Sequence, residues 1–312
     1  MSVWLPTSPC TPEACAGHEG SIASVPRAVL RLTAAVALIL LGILGAPPVR
    51  LLPAGPRHTV VRAWAAALVR AFGIRITVYG SPGPEGGRLL VPNHISWLDI
   101  PLVAAAVPCR MLAKSDIRDW PVLGRLAGGA GTLFIERDKI RALPATVETI
   151  TGALLAGDRV TVFPEGSTWC GRAQGTFRRA AFQSALDARV PVQPVRLAYL
   201  HCDGTPAGAP AFVGDDPLTA SLWRIARARG VRAEVRLLPR IPPGRYAHRR
   251  DLAAAAQQAV LGASAPILLP GIPTQPATPS ATDKDSANRP AASVHHWVSS
   301  SPAAANSFRT PS

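Results

Sequence analysis

The sequence has 312 residues, enough for one large domain or two small ones, and its 48% hydrophobic content is ample for a buried core. The formal net charge is +14, carried almost entirely by arginine, so we expect the protein to meet an anionic surface or ligand. Aromatic residues make up only 5%, and no zinc-finger, helix-turn-helix or RNP-like pattern occurs, which argues against nucleic acid as a partner.

The five cysteines are an odd set without the paired short spacings of a zinc ribbon. No metal site is therefore expected, and unpaired thiols fit a reducing compartment. Cys109 lies in an apolar run and is predicted to be an inert core thiol. No neighbour in the sequence would activate Cys170 as a nucleophile.

The N-terminal quarter of the chain begins with a polar segment and continues as an apolar one. Residues 1–25 are rich in Ser, Pro, Gly and Thr, which predicts disorder. Residues 32–46 are apolar except for one threonine and end at Pro47-Pro48, so the stretch is shorter than the roughly 20 residues of a membrane span. Extending it toward the N-terminus includes Arg31, which can snorkel. Membrane anchoring, spanning or re-entrant, is favoured; a cleaved signal or a buried core helix are the alternatives.

Val60 to Phe72 has apolar residues at three- and four-residue spacing, which predicts an amphipathic helix. It can lie in the membrane interface with Trp64 near the headgroups, or pack against the rest of the protein. Both alternatives stay open. With the apolar stretch before it, this helix makes residues 26–73 a predicted pair of membrane-associated helices.

From residue 74 to 265, short apolar strands alternate with helical segments, which predicts one α/β domain with a mixed, largely parallel sheet flanked by helices. Ligands of such sheets bind where loops leave the carboxyl ends of the strands. The predicted strands are Ile76–Tyr79, Leu89–Pro92, Arg110–Ala113, Thr132–Glu136, Val160–Phe163, Val192–Leu200 and Ala233–Leu238. The predicted helices lie near 97–107, 117–127, 139–156, 177–188, 217–229 and 248–262. Residues 266–312, rich in Pro, Ala, Ser and Thr, are a predicted disordered tail.

The segment that carries chemistry is the loop between the second predicted strand and the next helix. It contains Asn93-His94 and, five residues after the histidine, Asp99. Asp99 can orient the His94 ring and stabilise its protonated form, as the acid of a hydrolase triad does. Amides at the helix N-terminus can stabilise an oxyanion. The structural alternative is a capping box between Ser96 and Asp99, in which the two side chains only terminate a helix.

Four short motifs, in order, carry a resemblance that extends over roughly residues 71 to 239. They are the Asn93-His94 to Asp99 segment, Gly131-Thr132-Leu133-Phe134-Ile135-Glu136-Arg137, Phe163-Pro164-Glu165-Gly166-Ser167, and Val190-Pro191-Val192-Gln193-Pro194-Val195. Together they resemble the signatures of the lysophosphatidate (1-acyl-sn-glycerol-3-phosphate) acyltransferase family of glycerolipid acyltransferases. The resemblance implies a glycerolipid acyltransferase-like fold and His94 and Asp99 as catalytic residues.

The resemblance also implies residues that bind the acceptor lipid. Arg137 and Lys114 are predicted to hold its phosphate. The other predicted substrate-binding residues flank the loops of the first and third motifs: Asn93, Ser96, Glu165, Gly166 and Ser167. After Ser167 the chain departs from the family pattern, because the expected arginine is displaced to Arg172. A lysophospholipid, a lyso-ornithine lipid and glycerol 3-phosphate therefore all remain acceptors to be considered.

The expected reaction moves a fatty acyl group from a thioester, carried by coenzyme A or acyl carrier protein, directly to the acceptor's hydroxyl. No metal or resident cofactor is expected. The partners are then the membrane lipid acceptor, the thioester donor and an anionic membrane surface, with the catalytic domain on the cytoplasmic side of the inner leaflet. A serine hydrolase is disfavoured because no nucleophile elbow occurs. A non-catalytic membrane-surface protein with the same fold is the remaining rival.

Overall fold

The computed structural model of the chain describes residues 8–119, 124–125, 128, 131–135 and 140–263. Within these ranges the strands form one seven-stranded sheet in the order β1-β7-β6-β2-β5-β3-β4. The pairs β1·β7, β2·β5, β2·β6, β3·β5 and β3·β4 are parallel, and β6·β7 is antiparallel. The strands are β1 (Arg75–Tyr79), β2 (Arg88–Pro92), β3 (Arg110–Lys114), β4 (Leu133–Ile135), β5 (Arg159–Thr161), β6 (Val192–Leu200) and β7 (Arg232–Leu237).

Helices cover both faces of this sheet, which confirms the predicted mixed, largely parallel α/β architecture. They are α1 (Pro12–Cys15), α2 (Val25–Arg50), α3 (Ala54–Ala71), α4 (Asp99–Ala106), α5 (Leu143–Leu155), α6 (Phe182–Asp187), α7 (Leu218–Arg227) and α8 (Arg249–Gly262). Helices α2, α3, α4 and α7 share one apolar core with the sheet, and α5, α6 and α8 share the other. The helix predicted near 117–127 begins as a 3-10 turn over Ser115–Asp119 and then leaves the described residues. The predicted tail, 266–312, also lies outside them.

Residues 8–24 are ordered against the domain, so the prediction of disorder for 1–25 is wrong over this range. Helix α1 begins after Thr11, whose side chain accepts from the amide of Ala14. Small side chains allow this segment to pack closely on the domain: Ala16 and Ala23 are each only 2% exposed. The amide of Ala23 donates to the carbonyl of Arg227 at 2.7 Å. Polar composition suggested disorder, but here a few small residues and backbone hydrogen bonds suffice for docking.

Helix α2 is longer than the sequence suggested, running over 26 residues from Val25 to Arg50 with a mean hydropathy of 2.3 over its most apolar window. It does not end at Pro47-Pro48, and Arg31 does not extend outward as a snorkelling side chain would. Instead the Arg31 guanidinium donates to the carbonyls of Ala226 and Ala228 at 2.8 and 2.7 Å. Those carbonyls end α7, where the helix leaves acceptors without helical partners, so the arginine joins α2 to the domain.

Helix α2 packs on α3 and on α7, and part of its apolar surface is exposed. The indole of Trp64 donates to the carbonyl of Leu38 at 2.8 Å. Trp64 therefore sits between the two helices, as the packing alternative for this helix predicted. On the outward side, Leu41 and Leu44 are 61% and 76% exposed. A helix of this length and apolarity can cross a membrane, although a signal sequence has the same properties.

Candidate active site

The loop that carries His94 follows the central strand β2 and is fixed by the side chain of Asn93. The Asn93 amide donates to the carbonyl of Leu197 at 3.1 Å, and its oxygen accepts from the Leu197 amide at 2.7 Å. Asn93 is 1% exposed. It therefore extends the pairing of β2 with β6 by one residue, instead of making the substrate contact predicted for it. The neighbouring His94 then projects from a loop whose base is rigid.

Asp99 lies at the first residue of α4 and holds the His94 ring. Its carboxylate Oδ2 is 2.8 Å from His94 Nδ1 and also accepts from the amides of Ile95 at 2.6 Å and Ser96 at 2.9 Å. Asp99 is fully buried, while the His94 side chain is 15% exposed. Both sequence interpretations are therefore realised together: one oxygen terminates the turn before α4 and orients the imidazole.

The same turn occupies the amides that were expected to stabilise an oxyanion. Besides the two that bind Asp99, the Leu98 amide donates to the Ser96 hydroxyl at 3.2 Å, and the Asp99 amide donates to the Ser96 carbonyl at 3.1 Å. Ser96 is 0% exposed. It shapes the turn, and neither its predicted substrate contact nor the predicted oxyanion site at this helix end fits the geometry.

Tyr199, which the sequence did not single out, contacts the second oxygen of the Asp99 carboxylate. Its hydroxyl donates to Oδ1 of Asp99 at 2.8 Å, and the ring is 3% exposed. Burial, together with the charge of Asp99, raises the pKa of Tyr199 well above its ordinary value. The hydroxyl therefore stays protonated and keeps donating, which fixes both oxygens of Asp99.

Glu165 supports the His94 loop from the segment that follows β5, the strand beside β2 in the sheet. Its Oε2 accepts from the His94 amide at 2.9 Å, and its Oε1 accepts from the Gly175 amide at 3.2 Å. Glu165 is 2% exposed. Burial raises its pKa to about 8, against the opposing effect of the two amide donors. This geometry supports a structural role for Glu165, whereas the sequence predicted that it binds the substrate.

The loop after Glu165 covers the histidine. The Phe163 ring stacks on the His94 ring with centroids 4.0 Å apart. Gly166 has a φ of +74°, a conformation that suits glycine, and the Trp169 amide donates to the His94 carbonyl at 2.8 Å. The Ser167 hydroxyl is a buried atom without a hydrogen-bond partner among the described residues. Gly166 and Ser167 thus lie within the loop that borders His94, and their predicted contact with the substrate stays a prediction.

The two predicted phosphate ligands are only partly described. Lys114 ends β3, where it pairs with Ile135 at the end of β4. Arg137 lies outside the described residues, as does the side chain of Lys114. The structure adds a cation that the sequence analysis did not consider, Arg196 of β6, which is 9% exposed. Burial lowers the pKa of Arg196, and the nearby carboxylate of Glu165 opposes that effect.

A histidine held by a buried carboxylate, at the carboxyl ends of parallel strands, defines an α/β enzyme equipped to remove a proton from a substrate. Comparisons with known proteins specify which kind. The family described as Acyltransferase matches residues 75–198. A lyso-ornithine lipid O-acyltransferase of Pseudomonas aeruginosa is 39% identical over 65% of this chain and 78% of that protein. A 1-acyl-sn-glycerol-3-phosphate acyltransferase of Neisseria gonorrhoeae is 36% identical over 57% and 70%.

The chain therefore belongs to the glycerolipid acyltransferase family and is an O-acyltransferase. A solved structure shows the same fold: the 1-acyl-sn-glycerophosphate (LPA) acyltransferase PlsC of Thermotoga maritima. Its TM-score is 0.60 at 18% identity, with 77% of this chain and 95% of that chain covered. The family assignment confirms the resemblance inferred from the four motifs.

Proposed function

We propose that the enzyme transfers a fatty acyl group from a thioester to the free hydroxyl of a lysophospholipid, in the first instance 1-acyl-sn-glycerol 3-phosphate. His94 is the general base of this reaction. The observation that supports this most directly is the 2.8 Å contact between His94 Nδ1 and the buried carboxylate of Asp99. A carboxylate accepts, so Nδ1 carries the proton and Nε2 is the basic nitrogen.

In the proposed reaction, Nε2 removes the acceptor's hydroxyl proton as the oxygen attacks the thioester carbonyl. The tetrahedral intermediate collapses with cleavage of the C–S bond, and the departing thiolate takes the proton from the imidazolium. Asp99 stabilises the positive ring while it exists. Because the bond to Asp99 is already formed, the ring does not reorient during the reaction, and general-base catalysis of this kind contributes about 10²–10⁴-fold. The donor is acyl-coenzyme A or acyl-acyl carrier protein, without a resident cofactor.

For the acceptor's phosphate we propose Lys114 and Arg137. Lys114 ends β3, where it pairs with Ile135 of the parallel strand β4, and Arg137 follows Ile135 by two residues in the sequence. Only β5 separates β3 from β2, the strand that leads to His94, so these two strands lie roughly 10 Å apart at the usual strand spacing. A lysine ammonium and an arginine fork both suit phosphate.

A lyso-ornithine lipid is the second candidate acceptor, favoured by the 39% identity to an enzyme named for that activity. An ornithine headgroup offers a carboxylate and an ammonium where lysophosphatidate offers a phosphate. Residues 167–172 depart from the pattern seen in the third motif, and they lie beside His94, so they are placed to influence this choice.

We further propose that the enzyme works on the membrane, with α2 as the anchor and the catalytic domain at the cytoplasmic side of the inner leaflet. The exposed apolar surface of α2 and the +14 net charge support attachment to an anionic bilayer. Such attachment keeps the active site beside a lipid acceptor that does not leave the bilayer.

The test uses full-length protein in detergent with both acceptors and both thioester carriers, and mass spectrometry of the lipid product. We expect turnover of lysophosphatidate to exceed that of lyso-ornithine lipid. His94→Ala should lower kcat by about 10²–10⁴-fold. His248→Ala is the matched control, because His248 is exposed and lies before α8. Equal turnover by the His94 variant would refute the mechanism, and exclusive use of lyso-ornithine lipid would replace the acceptor.

A further inference from the structure

Two cysteines near the N-terminus and one from the loop after Glu165 come together beside the active site. Cys10 precedes α1, Cys15 ends it, and Cys170 lies in the loop after Glu165. Their sulfur atoms all lie within 4.8 Å of one another. Cys10 and Cys170 are each 7% exposed, and all three are free thiols. Three thiols converging on one point are unusual for packing alone, because each sulfur is a potential metal ligand.

The backbone on the N-terminal side is arranged to present the first two sulfurs. The Cys15 amide donates to the Thr11 carbonyl at 3.0 Å, which closes one helical turn between the two cysteines. The segment then runs directly over Gly208. A β-carbon at that position would lie 2.4 Å from the carbonyl oxygen of Gly17 and 2.7 Å from that of Cys15. The absence of a side chain at Gly208 therefore allows this close approach.

The third sulfur is held by the loop that borders His94. The backbone amides of Arg172 and Ala173 donate hydrogen bonds to the Cys170 sulfur. Gly171, which lies between Cys170 and Arg172, has a φ of +82°, which turns the chain at this point. Backbone amides that donate to a cysteine sulfur are typical of thiolate metal sites.

We propose that Cys10, Cys15 and Cys170 bind a zinc ion that fastens the N-terminal segment to the active-site loop. Tetrahedral zinc with Zn–S bonds of about 2.3 Å places its sulfurs about 3.8 Å apart, so the observed group needs to contract by at most about 1 Å. Each cysteine that binds releases its proton to solvent, and a water completes the tetrahedron. The proposal is independent of the acyl acceptor and of the role of His94.

The site couples two parts of the molecule that share no sequence neighbourhood. The loop that carries Cys170 also contains Glu165 and the Trp169 amide, both of which bond to the backbone of His94. Zinc would therefore stabilise the loop that supports the histidine without touching the reacting atoms. The spacing of these cysteines does not indicate a metal site in the sequence, because one close pair, Cys10 and Cys15, is joined by a single distant cysteine.

The test measures metal in full-length protein purified in detergent without chelators. We expect about one zinc per chain by mass spectrometry of the metal, and a thiolate-to-metal charge-transfer band after replacement by cobalt. Cys10→Ser, Cys15→Ser and Cys170→Ser should each lose most of the zinc and the band. Cys202→Ser is the matched control, because Cys202 is exposed and outside the group, and it should retain both.

Three results would overturn the proposal. Chains without zinc that contain three free thiols would show that the group only packs. A disulfide within the group, found by peptide mapping of protein alkylated before reduction, would show a redox pair. Zinc retained equally by the three variants would place it elsewhere. To separate binding from folding, the wild-type protein is stripped with a chelator and reloaded; its thermal midpoint should fall and then recover.

Discussion

The replacement of Asp99 by asparagine tests the catalytic geometry most directly, because it changes charge while it preserves shape. Oδ2 of Asp99 accepts from His94, Ile95 and Ser96, and Oδ1 accepts from Tyr199. An asparagine can keep its oxygen at the Oδ2 position. Its NH₂ group then faces the Tyr199 hydroxyl, which can rotate to accept. We therefore expect the turn and the orientation of the ring to survive.

What the asparagine removes is the negative charge opposite the imidazolium. Opposite unit charges about 4 Å apart attract by about 4 kcal/mol at an effective dielectric constant of 20. The retained hydrogen bond recovers part of this energy, so we expect a loss of roughly 10²–10³ in kcat, which corresponds to about 3–4 kcal/mol. The acceptor KM should change little, because Asp99 is buried and does not reach the substrate.

The assay is steady-state acyl transfer by detergent-purified protein, with kcat and KM measured for Asp99→Asn, His94→Ala and the double variant. If the two residues act as one unit, the double variant should be no slower than His94→Ala alone. Asp187→Asn is the control, an exposed carboxylate on α6 whose loss should leave kcat unchanged. Multiplicative losses in the double variant, or an unchanged kcat in Asp99→Asn, would refute the reasoning.

Three further predictions follow from the same structure. Tyr199→Phe leaves Oδ1 of Asp99 without its donor, so kcat should fall and the free energy of unfolding should drop by about 1.5–3 kcal/mol, as measured by kinetics and thermal melts. Burial raises the pKa of Glu165 to about 8, so between pH 4.5 and 8 the folded protein keeps a proton that the unfolded chain releases. The free energy of unfolding should therefore fall by roughly 4–5 kcal/mol as the pH rises through this range. Glu165→Gln should abolish that slope; identical pH profiles would contradict the assignment. Leu41→Glu with Leu44→Glu should release the protein from vesicles in flotation assays, since each acidic side chain costs on the order of 2–3 kcal/mol within a bilayer.

Most of the fold could be predicted from the sequence, because the strands and helices of the domain follow clear local patterns. β6 was predicted with its observed bounds, Val192–Leu200, since most of its residues are apolar and the strand is buried, although Gln193 and Arg196 interrupt the apolar run. Predictions failed where a contact is not local. The docking of residues 8–24 depends on the distant carbonyl of Arg227, and α2 continues past Arg31 because α7 supplies acceptors for that side chain.

The candidate active site likewise contains residues that the sequence predicted from a local pattern and residues that it missed because their contacts are not local. His94 and Asp99 were predicted because five residues of sequence bring them together across one turn. Tyr199 was missed because it lies one hundred residues after Asp99, and only the strand order, with β6 beside β2, makes it a neighbour. The cysteine group was missed for the same reason. A sequence pattern can identify site residues that lie in one loop. Site residues that come from distant parts of the chain can be identified only when the order of the strands is known.

The contacts around His94 show how the ring is held in one orientation, which leaves Nε2 for the proposed proton transfer. The His94 amide donates to Glu165, its carbonyl accepts from the Trp169 amide, and the carbonyl of Ile95 accepts from the amide of Phe212 at 3.0 Å. The backbone of this loop is thus bonded to two other segments of the chain. The remaining freedom is rotation of the imidazole, which Asp99 at Nδ1 and the stacked Phe163 ring restrict. Since this geometry is present without substrate, the proposed mechanism has its proton acceptor, Nε2, in place before the acceptor lipid binds.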